Sequence, residues 1–168
     1  TAVGYQAAYA TTANWTTAFG HIALKANTTG IYNVAIGGNS MPANTTGASN
    51  TALGTSSLNT NTTGSYNTAI GQDALSGNTT AGYNTAVGYQ AGYSNTTGAE
   101  NTFVGNNAGY GQTTGGYNTA IGYNALKTNT AGQFNTVIGH TAMRDATGGS
   151  DNTAVGYAAM NNNTTGAR

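Results

Sequence analysis

The side chains best suited to acid–base or metal chemistry are few: His21, His140, Asp73, Glu100, Asp145 and Asp151. The chain has no cysteine, so neither disulfides nor thiolate metal sites are available, and the redox compartment cannot be read. The four acids are scattered, and no two recur at a spacing suited to general acid–base work. The stretch "GYGQTTGG", Gly109 to Gly116, has the glycines of a phosphate loop but no lysine. A calcium-binding β-roll needs an Asp in each repeat on a G-G-x-G-x-D pattern, which is missing. No enzymatic activity, metal or cofactor is expected. Charged residues make up 5% of the chain and formal net charge is zero, so no electrostatic footprint for nucleic acid or an anionic membrane exists. No apolar run approaches the ~18–20 residues of a membrane span.

What positions these residues is a repeat. Asn-Thr-Ala-aliphatic-Gly recurs with glycines at 20, 37, 54, 71, 88, 105, 122, 139 and 156, each 17 after the last, and Gly4 stands 16 before Gly20. The shorter first interval falls in "YATTANW", where other copies carry a turn, and a turn loses a residue more cheaply than a strand. Numbered from the anchor Asn, the consensus is N-T-A-[VIL]-G-x-x-A-[LMG]-x-x-N-T-T-G-x-Y. A period of 17 is too short for paired helices, and Gly, Asn and β-branched residues in every unit oppose helix. The pattern predicts an all-β fold: a parallel β-solenoid of about ten 17-residue coils, with Gly and Asn taking positive φ at the corners. His21 and His140 share position 6 but lie seven coils apart, roughly 33 Å at strand spacing, and cannot form one site.

Position 4 is never polar: Val3, Phe19, Ile36, Leu53, Ile70, Val87, Val104, Ile121, Ile138 and Val155. Charges fall only at positions 7, 10, 11 and 17. Position 4 is therefore expected to form the core ladder, with Ala or Ser at position 8 and Leu or Met at most copies of position 9. Position 3 is also apolar, as at Ala86, Phe103, Ala120 and Val137, and must point to the opposite face. Two readings stay open: these residues tolerate exposure, or they form a subunit interface along the rod.

The units "NTAIGQDAL" (67–75) and "NTAIGYNAL" (118–126) resemble the head repeats of trimeric autotransporter adhesins, and similar repeats occur in phage tail-fibre-like proteins. The resemblance runs along the whole chain and rests on the aliphatic-Gly-x-x-Ala core. It implies a left-handed parallel β-roll, a homotrimer, and an extracellular, cell-surface or virion location. The departure is the period, which in that family is typically 14.

Three surface features are candidate contacts. Tyr32, Tyr66, Tyr83, Tyr117 and Phe134 share position 17 with Trp15, and such a row could cover the coil corner, pack against neighbouring rods or bind glycans. Asn27, Asn44, Asn61, Asn78, Asn95 and Asn163 begin Asn-Thr-Thr sequons, which read either as glycan acceptors or as turn chemistry. Thr51, Thr68, Thr85, Thr102, Thr119, Thr136 and Thr153 share position 2. A Thr lattice on a solenoid is similar to ice-binding proteins, although Thr96 and Thr97 of the turn are adjacent and would face opposite ways. Residues 1–168 read as one repetitive segment. Neither end carries a solenoid's usual polar cap, so a longer array or an end-to-end filament is expected. The leading expectation is a structural extracellular rod whose partner is itself, as homotrimer or head-to-tail filament. The alternative is a rod that recognises glycans or ice through Tyr or Thr rows.

Overall fold

A computed structural model describes residues 1–162. It contains ten short strands and no helix among these residues: β1 (Ala2–Val3), β2 (Thr17–Phe19), β3 (Val34–Ile36), β4 (Thr51–Leu53), β5 (Thr68–Ile70), β6 (Thr85–Val87), β7 (Thr102–Val104), β8 (Thr119–Ile121), β9 (Thr136–Ile138) and β10 (Thr153–Val155). They form one parallel sheet in the order β1 to β10. Equivalent residues pair in step, as in Thr51↔Thr68, Ala52↔Ala69 and Leu53↔Ile70. The chain is thus a β-solenoid with one strand per 17-residue coil. At ~4.8 Å per strand the first and last strands lie about 43 Å apart.

Hydrogen bonding between coils goes well beyond the three-residue strands. In the coil 67–83, Thr68 donates to Asn84 O, Gly71 to Leu53 O, Asp73 to Thr55 O, Leu75 to Ala91 O, Thr79 to Thr96 O and Tyr83 to Ser65 O, all at 2.8–3.1 Å. The backbone ladder therefore surrounds the coil, and each coil is held by both neighbours. The short first interval is absorbed where the sequence placed it. Thr11 stands where later coils carry Asn, and its Oγ1 accepts from Asn27 Nδ2 at 3.0 Å.

Three corners per coil take the left-handed conformation, at positions 7, 9 and 17. In the coil 67–83 they are Asp73 (φ 58), Leu75 (φ 48) and Tyr83 (φ 61). This differs from the expectation that Gly and Asn would supply the positive φ. Side chains occupy most of these corners, at a local cost of roughly 1–2 kcal/mol each. Continuous inter-coil bonding holds them there. The position-5 glycines do have positive φ, and a Cβ on Gly88 (φ 137) would lie 2.5 Å from Gly105 O. The turn glycine at position 15 serves packing instead: a Cβ on Gly47 would collide with the Gly64 carbonyl and the Asn44 amide.

The expected core ladder is overturned. Position 4 points outward: Val3, Phe19, Leu53, Ile121, Ile138 and Val155 are exposed, and Ile36, Ile70, Val87 and Val104 are half-exposed. Position 3 points inward, so Ala86, Phe103, Ala120 and Val137 are fully buried inside their own coil and are not an interface. Strand alternation fixes only that the two positions oppose each other. Position 9 decides which one enters. Its Leu and Met side chains, Leu24, Met41, Leu58, Leu75, Leu126 and Met143, fill the centre and leave room for Ala-sized partners. Phe103 fits because the two nearest position-9 residues are glycines. A Cβ on Gly92 would lie 2.7 Å from Phe103 Cδ2, and one on Gly109 would overlap the same ring. The outward aliphatic row reflects strand preference for β-branched residues and their cross-strand packing.

Opposite this apolar lobe lies a polar one. Asn at positions 1 and 12 is buried throughout the regular coils, as at Asn44, Asn50, Asn61 and Asn67. Asn50 Nδ2 (2.8 Å) and Asn61 Nδ2 (3.0 Å) both donate to Gly64 O. Along the axis Asn61 Nδ2 donates to Asn44 Oδ1 and Asn78 Nδ2 to Asn61 Oδ1, both at 2.8 Å. Asn67 N donates to Asn50 Oδ1 at 2.9 Å. Two asparagine ladders thus close the coils from Asn27 to Asn95 on one carbonyl each and satisfy most of their buried amides.

Candidate functional site

The sheet presents two outward rows. Thr at position 2 and an aliphatic residue at position 4 flank the buried position 3 in the complete strands, with β3 carrying Val34 in place of Thr and β2 carrying Phe19 in place of the aliphatic. Seven of these threonines, from Thr51 to Thr153, recur in consecutive strands. The turn threonines behave differently. Thr45 Oγ1 donates to Thr62 O, Thr62 Oγ1 to Thr79 O and Thr79 Oγ1 to Thr96 O, each at 3.1 Å, so these hydroxyls serve the backbone.

The sequons carry no acceptor role in the folded rod. Asn27, Asn44, Asn61, Asn78 and Asn95 are fully buried with their amides committed to the ladder, which leaves no route for a glycan. Asn163 lies outside the described residues.

Aromatic residues sit on the surface in stacked groups. On position 17, Trp15 stacks on Tyr32 (6.4 Å between centroids), Tyr66 on Tyr83 (4.9 Å) and Tyr117 on Phe134 (5.0 Å). The row is interrupted every third coil, by Ser49, Glu100 and Asp151. All six rings are at least half exposed. A groove of about 480 Å³ runs beside this row, lined by Thr63, Tyr66, Thr80, Gly82, Tyr83, Thr97 and Glu100 among others. Tyr93 and Tyr110 stack at 5.2 Å on position 10. On position 6, Tyr5 stacks on His21, and His140 lies between Tyr123 (4.9 Å) and Tyr157 (5.4 Å). The histidines stay far apart, each joined to a tyrosine of a neighbouring coil.

Among the described residues no group of three or more His, Asp or Glu could hold a metal ion, and no helix is long and apolar enough to cross a membrane. Arg144 pairs with Asp145 through its Nη2 at 2.6 Å. That hydrogen bond holds the Asp145 carboxyl below its ordinary range and raises Arg144. Both groups are exposed, so the pair is a surface feature.

No family model, no curated protein and no solved structure matches the chain. Two outward faces are the candidate contacts: the Thr and aliphatic rows of the sheet, and the interrupted aromatic row at its edge. Both were visible as sequence positions. That position 4 belongs outside was not, because both strand neighbours are apolar.

Proposed function

We propose that this chain is a stiff structural rod of an extracellular fibre or shaft, of the kind its adhesin-head and tail-fibre resemblance implies, whose copies associate side by side. One observation carries the reading. Position 4 is exposed or half-exposed along the sheet, yet in ten coils it is never polar and never charged. A solvated surface position would vary, as positions 7 and 10 do. A contiguous apolar stripe on an isolated rod marks a contact. The strip from the ring row at position 17 to the ring row at position 6 is at most about 20 Å wide by residue count. Over the rod's length that gives up to about 850 Å², close to the ~800 Å² each partner contributes to a standard interface. The near-absence of charge favours close approach of identical faces.

Sedimentation of the chain beside an Ile70→Lys/Ile121→Lys variant tests this. The parent should sediment as an oligomer, with three copies if the adhesin resemblance holds, and the variant as a monomer. A monomeric parent at all accessible concentrations sinks lateral association. Electron micrographs of the native material with a ~4.8 Å layer line support the fibre.

A second reading has its own observation. Thr at position 2 and the aliphatic residue at position 4 repeat on one regular outer face, an arrangement that suits an ordered surface such as ice. Thermal hysteresis of the parent that disappears in Thr85→Lys/Thr102→Lys would favour it; its absence leaves the structural rod.

A further inference from the structure

The interrupted aromatic row, at the margin of the face assigned to lateral contact, carries a feature of its own. Residues at position 17 share one backbone geometry, with φ between 57 and 62 in every coil from Trp15 to Asp151. Their N–H groups bond the preceding coil alike: Tyr83 to Ser65 O, Glu100 to Gly82 O and Tyr117 to Ala99 O, at 3.0–3.2 Å. Side chains therefore leave the coil from equivalent points. Tyr66 stacks on one face of Tyr83, and Phe134 on one face of Tyr117. Among the described residues no second ring stacks on Tyr83 or Tyr117, and the coil between them separates the two pairs. That coil carries no ring, only the exposed side chain of Glu100.

The gap has a definite size. Tyr83 and Tyr117 are two coils apart, so their rings stand about 10 Å from one another. A group held midway is about 5 Å from each ring, inside the ~6 Å over which a ring attracts a cation. Glu100 has no ion-pair partner among the described residues, and it lines the end of the groove that also borders Tyr83. Two exposed rings, each stacked on a single partner, thus flank an exposed carboxylate on the coil between them. We infer that the Tyr83–Glu100–Tyr117 slot binds an organic cation, either an alkylated ammonium or a guanidinium group. Cation–π attraction comes from the two rings and charge pairing from the carboxylate of the coil between them.

The rod contains its own control. Ser49 interrupts the same row between Tyr32 and Tyr66, giving a slot of equal span without the carboxylate. That slot should hold cations weakly.

The experiment is a titration of the chain with tetramethylammonium and, separately, methylguanidinium, against potassium at matched ionic strength. It is read from the ring resonances of Tyr83 and Tyr117 by NMR. Saturable shifts of both rings are expected with at least one organic cation. The cation that gives them decides between a tetrahedral and a flat headgroup. Glu100→Gln keeps the side-chain shape and should weaken binding roughly fivefold. Ser49→Glu should create a second site, reported by Tyr32 and Tyr66. Position 17 already accepts Trp, Tyr, Ser, Glu, Phe and Asp at one φ, so both substitutions suit the fold. No saturable shift with either cation, or equal binding by Glu100→Gln and the parent, overturns the assignment. Lateral association is read separately, by sedimentation of the same variants.

Discussion

The two lobes of the coil interior obey different rules. In the apolar lobe, volume is exchanged freely between positions. Phe103 replaces Ala at position 3, and Gly92 and Gly109 give up their side chains at position 9 to admit it. In the polar lobe, even a one-methylene change leaves a trace. Gln112 replaces Asn at position 12 and sends its Nε2 to Gly132 O at 3.0 Å. Asn95 Oδ1 and Gln112 Oε1 are then buried without a partner. Dispersion and hydrophobic burial depend on filled space and are indifferent to which coil supplies the atoms. A ladder of amides depends on each donor meeting one acceptor, so its errors cannot be shared out.

The largest break in this comparison is Phe103→Ala. It would open a cavity that the neighbouring glycines cannot close, at a cost of about 3–5 kcal/mol, read from urea unfolding. The exchange rule predicts its own rescue. Adding Gly92→Leu and Gly109→Leu should restore most of the loss, since both glycines hold φ 61, close to the φ 48–53 of Leu58, Leu75 and Leu126. Failure of the triple variant to recover would mean that volume is not exchangeable between coils.

Asn61→Ala attacks the other lobe. It deprives Asn44 Oδ1 of a donor and Asn78 Nδ2 of an acceptor, at about 1–3 kcal/mol for the groups stranded. No volume-filling change nearby should compensate. Amide exchange should quicken first in the coils flanking Asn61, because those bonds are the ones cut. Gln112→Asn runs the other way. It would give Asn95 Oδ1 a donor and should stabilise the chain by about 1 kcal/mol. An unchanged or lower unfolding midpoint would show that Gln112 is held by something besides the broken ladder.

This contrast also explains what could be read from the sequence. Period and coil count were legible because the position-5 glycine recurs every 17 residues from Gly20 onward, but the period also suggested two strands per coil, and one forms in each coil of the described residues. The inward face was misread because Ala at position 3 and Val or Ile at position 4 are both apolar, and hydrophobicity favours the larger. The deciding clue is the large residue at position 3. Phe103 coincides with glycine at position 9 in its own coil and the one before, which is expected only if positions 3 and 9 share one space. The sequon asparagines were read as turn chemistry or glycan sites; they do bond their own turn, with the turn threonines, and from Asn27 to Asn95 they also form a buried ladder. The aromatic row was legible as a row, but its slots depend on equal φ along position 17, which composition does not reveal.

The smallest expected effect concerns charge, because among the described residues no ionisable group lies in either lobe. Asp145 is held below its ordinary range chiefly by its hydrogen bond from Arg144. A depressed carboxyl contributes stability above its unfolded pKa and loses it as pH falls through the folded value. NMR titration should therefore find Asp145 ionising below the ordinary carboxyl range, and Arg144→Gln should abolish that depression. Stability itself should stay nearly flat across that acid range, since the pair is exposed and both ladders are neutral amides and apolar groups. A steep acid transition would place a titrating carboxylate among the forces that hold the coils together. It would thereby contradict the assignment of those forces to the two uncharged lobes.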